Sequence, residues 1–270
     1  MRVAPGADGA EASYALADGF WNPEERVADH PLNLHLGEDL QIEFTGRIAC
    51  VYCGRESKKS FGQGFCYPCF QARAEADVCI VKPELCHYFN DADPCRDDAF
   101  ARSHCFQPHV LYVALTSGLK VGITRRENIP TRWLDQGATA AIPLAELPDR
   151  RTVGLLEAEL RERAGLADRT HWTALLKNER GDGDLAAHAA GVAALLADRG
   201  IALLPPEERR LHEFRFPVRA YPTKVKSFNL DKDPHAGGVL QGIKGQYLIF
   251  DAGVINLRKY TGYEVVVSVG

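Results

Sequence analysis

The alternation of apolar and polar positions is clearest over residues 110–124, VLYVALTSGLKVGIT. Leu111, Val113 and Leu115 alternate with Tyr112 and Ala114; Leu119, Val121 and Ile123 alternate with Lys120, Gly122 and Thr124. A period of two marks a half-buried strand. Thr116-Ser117-Gly118 suits a three-residue hairpin loop with Gly118 left-handed. The implied register sets Leu115 against Leu119, Val113 against Val121 and Leu111 against Ile123 on an apolar face. The other face sets Ala114 against Lys120, Tyr112 against Gly122 and Val110 against Thr124. A one-residue slip would put the two apolar sets on opposite faces, so this register is favoured. Pro130 suits a first helical position and Gly137 the residue past the end, so a short helix follows with Arg132 in its first turn.

The same reading extends along the chain. Residues 1–38 carry weak signals, with Trp21 and the Leu32-Leu34-Leu36 alternation hinting at short β elements; Leu40, Ile42 and Phe44 then share a strand face within 39–48. Residues 138–149 read as a connecting strand or loop. Residues 153–163 form an amphipathic helix striped by Val153, Leu156 and Leu160. Helices are expected at 170–177 and 185–196, the latter ending near Gly200, with a polar loop at 179–184. Pro205-Pro206 marks a boundary. Beyond it strands are expected at 214–219, 224–230, 238–250, 254–260 and 263–267, with a turn at Asp251-Ala252-Gly253. The expected class is α+β. Its parts are an N-terminal β segment (1–49), a cysteine-rich module (50–109), an α/β domain (110–204) and a β-rich domain (205–270). The strand at 39–48 joins the last into a small barrel-like sheet.

Composition narrows the function classes. A hydrophobic fraction of 46% and a charged fraction of 25% are those of a globular protein. A net charge of −4 gives no global nucleic-acid signature, so any basic surface is local. The chain shows no apolar run of the roughly 18 residues a membrane span needs, nor an N-terminal signal-peptide core, so the expected compartment is the cytoplasm. There, eight cysteines point to metal ligands before disulfides.

Cys50-Val51-Tyr52-Cys53 and Cys66-Tyr67-Pro68-Cys69 form two paired knuckles, the spacing of a zinc ribbon. Cys79, Cys86, Cys95 and Cys105 form a looser quartet, in which His87, His104 or His109 can replace one ligand, so two zinc sites are expected. Four thiolates also hold iron–sulfur clusters, and spacing does not separate the two. Between the knuckles, Lys58 and Lys59 mix with Phe61, Phe65 and Tyr67, as on a nucleic-acid surface; the aromatics equally suit a core under the metal. No Walker loop, dinucleotide fingerprint or Ser-His-Asp arrangement is present.

The pieces CVYCGRESKKSFGQGFCYPCF, CIVKPELCHYF, HVLYVALTSGLKVGIT and PTRWLDQGA resemble the domain of unknown function 2797 family, as do THWTALLK, GVLQGIKGQYLIF and GVINLRKYTGY. More distantly, Val110-Leu111-Tyr112 and Lys120-Val121-Gly122 resemble the paired hairpin motifs of the GIY-YIG nuclease superfamily, near its phage T5-type branch. Tyr112 and Gly122 are kept, while Lys120 stands in place of the second tyrosine. That resemblance implies a phosphate-binding Arg132 and a Mg²⁺-binding Glu157, the latter at the edge of the helical stripe. His109 beside the hairpin is a candidate general base. Arg125 and Arg126 add to a surface for DNA or RNA. Three readings follow: a zinc-containing nucleic-acid binder, a Mg²⁺-dependent nuclease acting through Tyr112, Lys120, Arg132 and Glu157, or an iron–sulfur enzyme acting on RNA.

Overall fold

The computed structural model describes residues 1–7, 10–17, 29–164, 171–179 and 183–270; Trp21, Thr170 and residues 180–182 of the 179–184 loop lie outside them. In chain order the first strands are β1 (Arg2–Ala4), β2 (Ser13–Ala17), β3 (Asp29–Pro31) and β4 (Asp39–Ile48). Helices α1 (Tyr67–Ala72) and α2 (Asp98–Phe100) follow. Then come β5 (His109–Leu115), β6 (Leu119–Arg125), α3 (Thr131–Asp135), β7 (Ala140–Leu147), α4 (Arg150–Ala164), α5 (Trp172–Leu176) and α6 (Leu185–Ala197). The chain ends with β8 (His212–Glu213), β9 (His235–Lys244), β10 (Tyr247–Phe250), β11 (Val254–Asn256) and β12 (Tyr263–Val269).

These elements divide into two compact units, residues 1–72 with 176–178 and 215–270, and residues 73–175 with 179–214. The cysteine-rich stretch 50–109 is therefore split, and its two quartets belong to different units. Residues 205–214 go with the second unit, where β8 pairs with β7.

In the first unit β4 pairs with β9 and β12, so both ends of the chain enter one antiparallel sheet of order β11-β10-β9-β4-β12. Leu40 and Ile42 point into its core with Leu240, Ile243, Leu248 and Phe250. The sheet is open, with β11 and β12 at its edges, instead of a barrel. The strands expected at 214–219 and 224–230 reduce to isolated bridges, Val218 to Gly242 and Ser227 to Val254. Pro217 supplies no N–H to a ladder, which limits the pairing of the first of these segments. Residues 238–250 make two strands instead of one, because Gly245 adopts φ +60° and turns the chain between β9 and β10. The Asp251-Ala252-Gly253 turn forms as expected between β10 and β11. Residues 254–260 end as a 3₁₀ turn, and Leu32–His35 is a 3₁₀ turn with Leu32 buried and Leu34 exposed, instead of a strand.

The second unit is built on the antiparallel sheet β6-β5-β7-β8. The β5–β6 register is the one the apolar pattern demands, with Leu115 opposite Leu119, Leu111 opposite Ile123 and Tyr112 opposite Gly122. Gly118 is not left-handed, however. The Thr116 N–H and hydroxyl both donate to the Gly118 carbonyl, at 3.0 and 3.3 Å, and close the loop without a positive φ. Residues 140–147 become β7, which lies beside β5. α3 ends in a Schellman arrangement: Gly137 at φ +68° donates to Leu134 O (2.9 Å) and Ala138 donates to Trp133 O (3.0 Å).

The two faces of this sheet differ. Leu111, Val113 and Val121 pack with Val153, Leu156 and Leu160 of α4 and with Leu185, Ala189, Val192 and Leu196 of α6. Each such fully buried aliphatic side chain contributes about 1.5–3 kcal/mol. Tyr112 and Ala114 face the other way, against Trp133, Ala138 and Phe214. The Tyr112 ring meets Trp133 edge-on at 5.7 Å and lies across Gly122. A Cβ at Gly122 would stand 2.6 Å from the Tyr112 hydroxyl oxygen. Gly122→Ala is therefore expected to destabilise the protein by about 1–3 kcal/mol through overpacking, read as a lower urea midpoint. A midpoint unchanged from wild type would show that Tyr112 has room to move.

Candidate functional site

Strand β4 delivers the chain to the first knuckle, where tight local hydrogen bonding presents both sulfurs. Cys50 donates to Arg55 O and Gly54 donates to Cys50 O, each at 2.9 Å, with Gly54 at φ +70°. On the second arm Phe61 and Phe65 exchange backbone hydrogen bonds, and α1 carries Cys69 one turn beyond Cys66. Val51 donates to Gly64 O at 2.9 Å and joins the arms. The close approach there requires glycine, since a Cβ on Gly64 would lie 2.5 Å from the Val51 side chain.

The Sγ atoms of Cys50, Cys53, Cys66 and Cys69 lie within 4.8 Å of one another, with Cys53 and Cys66 3.8 Å apart. Zn–S bonds of about 2.3 Å in a tetrahedron place sulfurs about 3.8 Å apart, so the donor set fits zinc. Burial opposes ionisation of Cys50, but the N–H groups of Cys53, Cys66 and Tyr52 outweigh it and hold its thiol down to about 6. Burial and the neighbouring sulfurs push the Cys69 thiol up to about 12. A cation removes that conflict by stabilising all four thiolates together.

The loop between the knuckles separates aromatics from cations. Phe65 is buried, and Phe61 packs against Phe70 and Tyr67, so part of the aromatic set forms the small core of this module. Lys58 and Lys59 are exposed, as are Arg55, Tyr52 and Tyr67. The 3₁₀ turn Leu257–Tyr260 brings exposed Arg258 and Lys259 to the same loop, where Arg258 donates to Gln63 Oε1 at 2.7 Å and Ser60 donates to Thr261 O at 3.1 Å. The sequence marked residues 257–261 only as part of the family-like piece GVINLRKYTGY, with no sign that they join this loop.

The second quartet does not close as four thiols. Among the described residues the group with metal-site geometry is Asp77, Cys79 and His87, whose ligand atoms lie within 4.8 Å of one another. Cys86, Cys95 and Cys105 line the same cavity as Cys79, bordered also by Arg150. The reason is local: Asp77 caps the short helix Val78–Ile80 by accepting from Cys79 N, which places a carboxylate beside the thiol. Of the three histidines, His87 joins the group; His104 stacks on Phe100, and His109 is fully buried with Nδ1 2.6 Å from Gln107 O. Burial also lowers the basicity of His109, the candidate general base.

The hairpin residues converge on a third locus. Tyr112 is fully buried, and Gln136 Nε2 donates to its hydroxyl at 2.9 Å. Burial raises the Tyr112 hydroxyl above the usual range, and the Arg132 and Glu157 charges both act on it. Burial likewise raises Glu157, against the pull of Arg161, Lys120 and Arg132. The Oε1 atom of Gln136 is buried without a partner. Tyr112, Lys120, Arg132 and Glu157 thus form one electrostatic group, with Gln136 a member that no motif marked. Arg125 and Arg126 are engaged by carboxylates, Arg125 with Glu127 at 2.7 Å and Arg126 with Glu146 and Glu208.

Residues 37–265 match the family described as "Protein of unknown function (DUF2797)", and the chain belongs to that family. No curated protein and no solved structure matches it. No described helix is long and apolar enough to cross a membrane.

The raised Glu157 has a consequence for stability. A carboxyl whose folded pKa is raised favours the folded state below its unfolded pKa and loses that contribution as pH rises through the folded value. Glu157→Gln is therefore expected to be more stable than wild type at neutral pH, with the gain vanishing toward the ordinary glutamate range near about 4.3. Urea melts at several pH values read this; a constant difference between the proteins would refute it.

Proposed function

We propose that this DUF2797 protein is a zinc-binding protein that binds nucleic acid through the face of its four-cysteine module. The observation that carries the reading is a four-cysteine module that exposes Lys58, Lys59, Tyr52 and Tyr67, to which exposed Arg258 on the 3₁₀ turn Leu257–Tyr260 is tied through Gln63. Cations supply sequence-independent phosphate contacts, and exposed rings supply stacking platforms for unpaired bases. Zinc acts here as scaffold, since four protein thiolates complete its coordination and leave no position for substrate. A net charge of −4 confines such binding to this local surface.

A second reading is phosphodiester cleavage with Mg²⁺ at Glu157, supported by the action of Arg132 and Glu157 on Tyr112 and of Lys120 and Arg132 on Glu157. In that reading a divalent ion would bind Glu157, and Arg132 and Lys120 would hold the phosphate. The full burial of Tyr112, with its hydroxyl bonded to Gln136, leaves it poorly placed to activate water and favours the binding reading.

Fluorescence anisotropy with labelled single strands across a salt series separates the readings. The double variant Lys58→Glu/Lys59→Glu should weaken binding alike for all sequences and flatten the log–log salt slope by about two. Unchanged affinity and slope would remove this face from the interface. Metal-dependent cleavage that Glu157→Ala abolishes would establish the second reading.

A further inference from the structure

We propose that the cavity in the second unit holds a second zinc ion, bound by the Asp77 carboxylate, the Cys79 thiolate and the His87 imidazole and closed by one thiolate from the cavity wall. The assignment is independent of the nucleic-acid reading. It differs from an all-cysteine site in two of its four donors.

The orientation of His87 is the first support. Its Nδ1 lies 2.6 Å from the Asp93 carbonyl oxygen, which can only accept, so Nδ1 carries a proton. Its Nε2 then faces Asp77 Oδ2 at 3.3 Å. Without a metal the carboxylate favours a protonated imidazole that donates Nε2–H to Asp77; a zinc ion bound by both groups would take the place of that proton. A backbone acceptor on the far ring nitrogen is the usual support of a metal-ligating histidine.

Asp77 is prepared in the same way. It is 7% exposed, Oδ1 accepts from Cys79 N at 3.3 Å, and Oδ2 lies 3.2 Å from Arg96 Nε. Such hydrogen bonds orient a ligating carboxylate. Two short 3₁₀ helices, Val78–Ile80 and Pro83–Leu85, present the donors. The second is seated against α4, where Gly154 leaves room for Pro83.

Arg150 is the second, separate support. It lines the same cavity, donates to Ile80 O, and keeps a buried Nε without a partner. The sulfurs that act on its charge are those of Cys105 and Cys79. A buried guanidinium is stabilised by nearby anions; Glu157 acts on it as one, and neutral thiols add nothing. A divalent ion with one carboxylate and two thiolates carries one net negative charge, which offsets Arg150. Cys86, Cys95 and Cys105 line the same cavity, and one of them gives the fourth donor. The mixed N/O/S set favours zinc over an iron–sulfur cluster, which takes cysteine thiolates with histidine as the known substitute.

Metal analysis of the full chain should find about two zinc per molecule, falling to about one in Asp77→Asn, Cys79→Ser and His87→Ala. X-ray absorption at the zinc edge of the unaltered protein tests the ligand set even where a variant fails to fold. It should show on average about three sulfurs near 2.3 Å and one lighter donor near 2.0 Å per zinc. One zinc per chain, a shell of sulfur alone, an iron chromophore, or undiminished zinc in Cys79→Ser would each overturn the assignment.

Discussion

Four sulfur atoms held within 4.8 Å of one another cannot all carry charge in the absence of a cation. That electrostatic constraint organises the four-cysteine module, whose own apolar core is little more than Phe61, Phe65 and Phe70. So small a core contributes little by burial, and a metal bound only by the folded arrangement would supply the missing free energy. Backbone hydrogen bonds between the arms, with glycines at the crowded turns, bring the sulfurs together. The exposed lysines are then free to face solvent, because holding the loop does not fall to them.

The second unit solves a different problem. Its sheet is apolar on both faces, and the face carrying Tyr112 has polar groups set within it. Tyr112 lies across a glycine, its hydroxyl takes a hydrogen bond from Gln136, and Arg132, Lys120 and Glu157 act on the same region. Burial raises both the tyrosine and the glutamate, so each favours its neutral form until a ligand or ion supplies compensating charge. Arg150 connects this group electrostatically with the cysteine cavity, since Cys105, Cys79, Arg132 and Glu157 all act on it.

Much of the fold was legible in residue order alone. The β5–β6 register follows from strict alternation, because only one pairing puts Leu111, Val113, Val121 and Ile123 on a common face. Helices α4 and α6 follow from their apolar spacing, and the first metal site from two knuckles whose short spacing leaves the sulfurs few ways to lie apart. The barrel was misread because alternation in residues 214–230 is shared by extended segments that make only isolated bridges. The split of the cysteine-rich stretch was equally invisible, since composition is continuous across residue 72 while the contacts are not.

The sequence by itself determined which residues can meet locally: paired cysteines, strand neighbours and helix stripes all act over a few residues of separation. The tertiary structure decided which distant groups share a site. It joined Arg258 and Lys259 to a loop some 200 residues earlier, set Gln136 on Tyr112, and gave Cys79 a carboxylate and an imidazole as its nearest metal-binding neighbours in place of three more thiols. These choices depend on how sheets and short helices pack against one another, and no local spacing along the chain encodes that packing.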